Sequence, residues 1–409
     1  MSGTSVDAVD GVLVAFPVAR RTPGLQSSPD PRAARGLPTT LAFRSRPMPP
    51  ALRDALQALQ QPGHDELARA ALAANSLSDL YAEVVADLLE AAGCRPADLA
   101  AIGAHGQTVR HRPEFGYTIQ LLNPARLAER SGIAVIADFR SGDLAAGGQG
   151  APLAPGFHAT VFAHPLKRRA IVNLGGIANV SLIAPADSQR TQPVSGFDTG
   201  PANTLLDEWC RRHTGQDFDR DGAWAASGKV IAPLLARMLD QPYFRAPAPK
   251  STGRDLFEPA WLDAQLQAVL PESTGAQASA RVPAPDPRDV QATLAELTAI
   301  TVAEPCRAFG AEEVWICGGG VNNADLMRRL ADRVAPAAVA GTDKLGIDPQ
   351  AVEATAFAWL AHRRLSGKPG NLPTVTGAEG PRVLGAIWPA PLRPRTRSRS
   401  RSWSKRSDS

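Results

Sequence analysis

The sequence predicts an α/β protein organised as two domains, and three observations carry that reading. Segments of strand pattern alternate with segments of helical pattern, with hairpins mixed among them. Three glycine-containing junctions, at residues 3–10, 198–200 and 318–320, each lie beside an expected strand, where open α/β sheets bind ligands. The chain has 409 residues, too many for one compact core and a comfortable number for two.

The chain opens in a polar, glycine-containing turn, Met1 to Asp10, and a short apolar strand follows at Val12–Phe16. Residues 17–50 hold many prolines and read as a long surface connection. Helical spacing runs from Pro50 to Leu59 and again from Glu66 to Ala92, where Leu67, Ala70, Ala74, Leu77, Tyr81, Val84 and Leu88 fall along one side. Leu99–Gly103 is a brief strand that leads into His105-Gly-Gln-Thr108, and Tyr117–Leu122 is another. Asn123 then caps a helix with Pro124 at its first position. Ile133–Phe139 has the pattern of a buried strand and ends at Arg140-Ser-Gly-Asp143.

Ala170–Leu174 and Ile177–Ile183, joined by Gly175-Gly176, form an expected hairpin. A strand ending near Phe197 passes through Asp198-Thr-Gly-Pro201 into a helix at Ala202–His213. Residues 271–288 are rich in Pro, Ala and Ser and read as a disordered insert. A helix at Val290–Phe309 precedes a strand at Val314–Cys317, the Gly318-Gly-Gly320 turn and a helix through Val334. A last helix covers Pro349–Leu365, and a strand at Val383–Ile387 closes the body.

Hydrophobic residues at 44% and charged residues at 21% are those of a soluble globular chain. No apolar run approaches the ~18–20 residues of a membrane span, so no membrane partner is expected. Ser2, Gly3, Thr4, Ser5 and Asp7 stand where a signal peptide would carry its apolar stretch. Cys94, Cys210, Cys306 and Cys317 are scattered with no CxxC pair and read as small buried apolar residues, which suits a reducing cytoplasm. The formal charge of +4 comes from the end of the chain: residues 389–409 hold seven Lys and Arg and one acid, which leaves residues 1–388 at −2. The body has no basic bias toward nucleic acid. The Arg/Ser tail is read as a disordered, solvated appendage, and only that segment could meet RNA or another polyanion.

Three motifs carry candidate chemistry. Gly3-Thr4-Ser5-Val6-Asp7 offers backbone N–H groups and hydroxyls to phosphate oxygens, and Asp7 and Asp10 could hold Mg²⁺ directly or through water. The alternative is an ordinary polar start to a hairpin. In Asp198-Thr199-Gly200-Pro201, Gly200 permits close backbone approach and the following helix N-terminus favours an anion, with Asp198 beside the reacting group. The alternative there is that Asp198 or Thr199 only caps the helix. Gly318, Gly319 and Gly320 suit the packing of a base or ribose against bare backbone. Neither a full G-x-G-x-x-G nor a Walker A sequence occurs. His105 and His111 read as hydrogen-bonded structural residues, and Asp219-Arg-Asp221-Gly222 lacks the closing acid of a calcium loop.

Seven ordered motifs then point one way. Residues 1–10, AHGQTVRHRP (104–113), ADFRSGDLAAGGQGAPLAP (137–155), VNLGGIANVS (172–181), GFDTGPANTLLD (196–207), CGGGVNN (317–323) and GIDPQAVEATAFAWLA (346–361) resemble the 1,6-anhydro-N-acetylmuramic acid kinases of bacterial cell-wall recycling, from residue 1 to about 388. The resemblance implies a two-lobed actin-like/hexokinase (ribonuclease H-like) ATPase fold with the nucleotide between the lobes. Residues 1–140 and 370–388 would form the first lobe and residues 141–369 the second.

It also implies ATP and Mg²⁺ as cofactors, bound through Gly3, Thr4, Ser5, Val6, Asp7, Ala8, Val9, Asp10, Gly200, Gly318, Gly319 and Gly320. Asp198 would be the catalytic base, and Gln107, Asp138, Arg140 and Glu353 would hold the sugar. A carboxylate with an ordinary pKa near ~3.9 would be ionised and ready at neutral pH. Two features differ from the family pattern. An apolar strand ordinarily precedes the first glycine turn, which leads to the expectation of coding sequence upstream of Met1, and Ala8 stands where glycine is usual. A homodimer is compatible with the sequence. Alternative readings are a sugar kinase or phosphatase of the same superfold with another substrate, or an inactive polyanion-binding relative.

Overall fold

The protein is described by a computed structural model that covers residues 1–3, 6–17, 37–188, 193–253, 256–269 and 285–392. Thr4 and Ser5, most of the 17–50 connection, the bulk of the 271–288 segment and the tail beyond Leu392 lie outside the described residues.

In chain order the strands are β1 (Ala8–Ala15), β2 (Thr39–Pro47), β3 (Ile102–Gly103), β4 (Gln107–Arg112), β5 (Tyr117–Leu121), β6 (Val135–Ala137), β7 (Arg169–Leu174), β8 (Ile177–Ile183), β9 (Ser195–Pro201), β10 (Glu313–Cys317), β11 (Ala338–Gly341) and β12 (Ala386–Trp388). The helices of eight residues or more are α1 (Pro50–Ala58), α2 (Glu66–Ala92), α3 (Pro124–Ser131), α4 (Ala154–Phe162), α5 (Asn203–Thr214), α6 (Ala232–Leu239), α7 (Pro259–Val269), α8 (Pro287–Phe309), α9 (Ala324–Val334) and α10 (Val352–Leu365).

The central sheet of the second half has the order β11-β10-β7-β8-β9. β7, β8 and β9 form an antiparallel meander, while β10 runs parallel to both β7 and β11. This is the ribonuclease H-like sheet from which lobes of actin-like ATPases are built. Hydrophobic alternation fails along β7 because both of its faces are covered: Ala170, Ile171, Val172 and Leu174 are all fully buried. One side of the sheet packs on α8 and α9 through Val302, Leu326 and Leu330.

In the first half, β1 pairs antiparallel with β2, and β3, β6 and β12 form a separate ladder. The last strand therefore returns to the first half of the chain. Helix α2 covers β1, with Leu77, Tyr81 and Val84 buried against Val9 and Leu13. Its 27 residues span about 40 Å at 1.5 Å per residue. Helix α10 joins the two halves, since Phe357 and Leu360 pack with Ile136 and Phe139 as well as with Ile171. Among the described residues no helix is long and apolar enough to cross a membrane.

The structure corrects several expectations. Residues 39–47 are a strand paired with β1, so the surface connection is shorter than read. Ala8, Val9 and Asp10 already belong to β1, and Val9 is buried rather than part of a loop. Gln107–Arg112 is a strand hairpinned with β5. Helix α8 begins at Pro287, where Asp286 caps it by accepting from the Arg288 N–H. Leu67 is exposed, because the first turn of α2 extends past the sheet it covers. Helix α7 carries too weak a period to be read in advance, and α6 and β11, at eight and four residues, are too short to establish one.

Candidate active site

Asp198 lies within β9, opposite Asn179 of β8, rather than after the strand as expected. Its backbone N–H donates to the Lys250 carbonyl at 3.2 Å, and its carbonyl accepts from the Tyr243 hydroxyl at 2.7 Å. The carboxylate Oδ2 accepts from the Thr252 N–H at 3.0 Å. Burial is the largest influence on this carboxyl and raises its pKa from 3.8 to about 6, against the lowering effects of the Thr252 N–H and the Arg140 charge. The expectation of an ordinary carboxylate near ~3.9 is thus corrected. A group that titrates near 6 is better matched to proton abstraction at neutral pH than an unperturbed one.

Arg140 follows β6 and is buried among acids. Burial lowers its pKa to about 10, opposed by the charges of Glu353, Asp198 and Asp143. Its guanidinium donates from Nη1 to the Gly150 carbonyl at 2.8 Å and from Nη2 to His105 Nε2 at 2.9 Å. Gly150 is in turn held by Asp143, which is fully buried and accepts from the Gly150 N–H, the Asn371 amide and the Thr376 hydroxyl. The loop from Leu144 to Gly150 is therefore pinned at both ends.

Gln107, at the start of β4, donates to the Gly3 carbonyl at 3.2 Å, while its Oε1 is buried with no partner among the described residues. It tethers the first glycine turn and keeps an acceptor to spare. Asp138 differs from the other sugar candidates. It is exposed, adopts φ 56° and accepts from the Ser141 N–H at 3.3 Å, so it shapes the β6 exit turn.

The first turn closes through the Val6 N–H to the Gly3 carbonyl at 3.2 Å, with Val6 at φ 54° and buried. A β-branched residue at positive φ is strained, and such strain concentrates at ligand-binding turns. The Met1 amine donates to the Asp10 carbonyl at 2.7 Å, and Met1 returns its own carbonyl to the Asp10 N–H at 2.8 Å. Burial raises the Asp10 pKa, opposed by a hydrogen bond with Ser45. Glu353 on α10 also has a raised pKa, first from burial and then from the charge of Asp10, and it is hydrogen-bonded to Asn173 at the end of β7.

Gly318, at φ 81°, and Gly320 press against β7, and a Cβ on Gly320 would stand 2.5 Å from Leu174 Cβ. Gly319 faces open space, its closest neighbour being Asn203 Nδ2 at 3.8 Å from a notional Cβ. Asp10, Arg140, Asp198, Glu353 and the glycine turns thus converge from both halves of the chain. Among the described residues no group of three or more His, Cys, Asp or Glu could hold a metal ion by itself.

A family model described as anhydro-N-acetylmuramic acid kinase matches residues 1–390. The chain belongs to the anhydro-N-acetylmuramic acid kinase family. It is 55% identical over 393 residues to the anhydro-N-acetylmuramic acid kinase of Bordetella pertussis and 51% identical over 395 residues to that of Burkholderia lata, covering 95% of both chains in each case. Among solved structures it is similar to the ADPNP-bound activator of the 2-hydroxyisocaproyl-CoA dehydratase from Clostridium difficile. The identity there is 14%, with a TM-score of 0.37 and coverage of 80% of this chain and 89% of that one. A ROK hexokinase from Thermus thermophilus is 14% identical, with a TM-score of 0.28 and coverage of 74% and 86%.

For this family member one expectation about the second motif is overturned. The helix N-terminus after Pro201 is not open to an anion, because the strand runs through Pro201 and α5 starts at Asn203. The N–H groups of Ala202, Asn203 and Thr204 are taken by the carbonyls of Gly175 and Gly176. Gly200 itself, at φ 149°, lies under Phe244, whose Cε1 would stand 2.7 Å from a Cβ.

Asp219 accepts from the N–H groups of Trp224 and Ala225, so it is a helix cap. Asn173, Tyr243, Lys250 and Thr252 also belong to the site, and no motif in the sequence marks the first three. The Ser251-Thr252-Gly253 run, with two hydroxyls beside a glycine, was the available signal for Thr252.

Proposed function

We propose that Asp198 is the general base of an ATP-dependent kinase that opens the 1,6-anhydro ring of anhydro-N-acetylmuramic acid and phosphorylates O6. The products are N-acetylmuramic acid 6-phosphate and ADP, as peptidoglycan recycling in the cytoplasm requires. The observation that carries this reading is the Asp198 carboxyl, whose pKa burial raises to about 6 within reach of the Arg140 charge.

The chemistry needs only one such carboxylate. Inverting glycoside cleavage ordinarily uses a base for water and an acid for the leaving oxygen. Here the leaving oxygen is O6 of the same sugar, and the γ-phosphoryl group captures it as the C1–O6 bond breaks. Water gives one proton to Asp198 while its oxygen bonds to C1, so no general acid is needed. Arg140, a cation fixed by His105 and Gly150, orients the sugar and offsets negative charge in the cleft. Glu353 and Gln107 Oε1 accept from sugar hydroxyls, and Asp138 lines the rim.

The residues of the first turn, Gly3 to Asp7, with Asp10 on the adjoining strand β1, cradle the ATP phosphates, with Gly318 to Gly320 beside the adenosine. Asp10 and Asp7 fit a Mg²⁺ ion, since Asp10 is a carboxylate crowded by the acids Asp7 and Glu353. A hard cation that keeps its waters and binds phosphate needs only one or two such groups from the protein. When bound, that ion neutralises charge on the phosphates. The division into a first lobe of residues 1–140 and 370–388 and a second of 141–369 is supported by the pairing of β12 with β6.

Turnover in ¹⁸O-water tests the reaction. Label is expected in the anomeric hydroxyl and not in the phosphate, with ADP formation dependent on the anhydro sugar. Label in the phosphate would mean that the phosphoryl group goes to water, and the reading would fall.

A further inference from the structure

We propose that Thr252 is a further catalytic residue, whose hydroxyl accepts a hydrogen bond from the second O–H of the water that Asp198 deprotonates and so aims that water at C1. The inference rests on the assignment of Asp198 as base. It starts from the segment Tyr243–Gly253, which is fastened to Asp198 along its whole length. The Tyr243 hydroxyl donates to the Asp198 carbonyl, the Lys250 carbonyl accepts from the Asp198 N–H, and the Thr252 N–H donates to Asp198 Oδ2. Lys250 locks the segment on itself, donating from Nζ to the carbonyls of Tyr243 at 3.0 Å and Phe244 at 3.1 Å. Its ammonium lies 4.8 Å from the Tyr243 ring centroid. Tyr243 and Phe244 also pack on Phe257, so Thr252 is presented to Asp198 by a segment anchored at both places.

Its hydroxyl is the anomaly. Thr252 Oγ1 is buried and has no hydrogen-bond partner among the described residues. Buried hydroxyls are nearly always paired, and an orphan on the residue that binds Asp198 calls for a physical account. The Oγ1 is three bonds from the nitrogen that holds Asp198 Oδ2, so covalent geometry keeps the two atoms roughly 3 Å apart. With the Thr252 N–H 3.0 Å from Oδ2, the hydroxyl lies no more than roughly 6 Å from that oxygen, a span that a single water with hydrogen bonds of roughly 2.7–3.0 Å bridges. The N–H of Thr252 occupies Oδ2, whereas Oδ1 has no hydrogen bond of its own from the described residues.

A nucleophilic water has two protons and must present a lone pair to carbon. The base takes one proton; unless an acceptor holds the other, the molecule rotates and the lone pair points at random. Arg140 and Lys250 cannot accept, Glu353 and Gln107 Oε1 are given to the sugar hydroxyls, and the Thr252 hydroxyl, on the residue that binds Asp198, can accept. In the step, one O–H bond of water breaks to Asp198 and the C1–O bond forms as C1–O6 breaks; O6 bonds to the γ-phosphorus, whose bond to the β,γ-bridging oxygen breaks to release ADP. Thr252 keeps its own proton throughout.

The test compares Thr252→Val, Thr252→Ala and Thr252→Ser in the full chain. Removing the hydroxyl lowers kcat about 10- to 100-fold, the effect of one lost hydrogen bond in the transition state. The KM for ATP and the thermal melt are unchanged, and Thr252→Ser recovers most of the rate. In an Asp198→Asn background the same change has no further effect, because the activated water is already lost. A kcat for both Thr252→Val and Thr252→Ala within about twofold of the parent overturns the proposal. So does a Ser variant as slow as Val, or an undiminished loss in the Asn background, either of which marks a structural role. If Thr252→Val fails to fold, the Ala and Ser pair decides. An active Asp198→Asn enzyme defeats the base assignment itself, whereas an inactive one beside a normal Thr252→Val defeats only the present inference.

Discussion

Arg140 donates to His105 Nε2 from two of its nitrogens, Nη2 at 2.9 Å and Nε at 3.2 Å. A ring nitrogen that accepts twice is unprotonated, so His105 is neutral with its proton on Nδ1. Burial first and the Arg140 charge second hold its pKa well below the usual histidine range. The ring is also packed at 4.6 Å from Phe357. His105 is therefore a positioning residue for Arg140. Its depressed pKa means that this contribution is complete above the ordinary histidine range and is lost only as pH falls far below it.

His105→Phe keeps an aromatic ring and removes the acceptor. The KM for the sugar should rise about 10- to 100-fold, as for a lost hydrogen bond to a charged group, with the KM for ATP nearly constant. Equal losses for both substrates would show a general disturbance of the cleft instead.

Asp198 sets the acid side of the pH profile. Its pKa of about 6 in the folded protein lies above the 3.8 of an unperturbed group. Between those values the folded protein keeps a proton that the unfolded chain has released, so this group's contribution to stability falls as pH rises through that window. The base, by contrast, is available only above it. We expect kcat to drop about tenfold per pH unit below about 6. Asp198→Asn should abolish the limb along with most activity, and at pH 8 it should melt higher by an amount on the order of 1–3 kcal/mol. A variant that keeps the limb would assign it to another group.

The three glycines after β10 separate packing from binding. A Cβ on Gly318 would meet Asn173 Oδ1 at 2.3 Å, and one on Gly320 would meet Leu174 Cβ at 2.5 Å. Alanine at either position should destabilise by roughly 1–3 kcal/mol through overpacking. Gly319→Ala has room, so its melt should match the parent while the KM for ATP rises, if the adenosine lies where proposed. A fall in melting temperature for Gly319→Ala with unchanged ATP kinetics would remove that residue from the nucleotide site.

Much of this site was legible because its residues lie in strings whose residue types are chemically unusual. Asp198 beside Thr-Gly-Pro, Arg140 at a strand exit and Glu353 in the mostly apolar run Val352–Ala361 each stand out against a buried surrounding. Long helices with sustained periods, α2 above all, were legible for the same reason. What escaped was tertiary. The shift of the Asp198 pKa depends on burial that no local pattern encodes. The blocking of the α5 N-terminus by Gly175 and Gly176 joins segments with no sequence link. The segment around Tyr243 and Lys250 reaches Asp198 from more than forty residues away, with hydrogen-bond partners that are mostly backbone atoms. Strand β4 was hidden because Thr108, Arg110 and Arg112 give it the polarity of a loop.

Asp143 supports the last prediction, which concerns how far Arg140 depends on residues that never touch substrate. The Asp143 side chain is wholly buried and accepts from the Asn371 amide at 2.6 Å, the Thr376 hydroxyl at 2.8 Å and the Gly150 N–H at 2.8 Å. The Gly150 carbonyl in turn accepts from Arg140. Asp143→Ala strands three donors at once, and each unsatisfied buried group costs about 1–3 kcal/mol. That total is comparable with a large part of the ~5–15 kcal/mol stability of a domain, so the alanine variant should melt far lower or fail to accumulate. Asp143→Asn is the informative change. It keeps shape and one acceptor but turns an NH₂ toward groups that all donate, so the Gly150 N–H loses its partner and the loop loosens. We expect a melt reduced by about 1–3 kcal/mol together with a raised sugar KM, because the carbonyl that holds Arg140 moves with the loop. The KM for ATP should not follow. A destabilised Asp143→Asn enzyme with normal sugar kinetics would show that Arg140 is held by His105 alone.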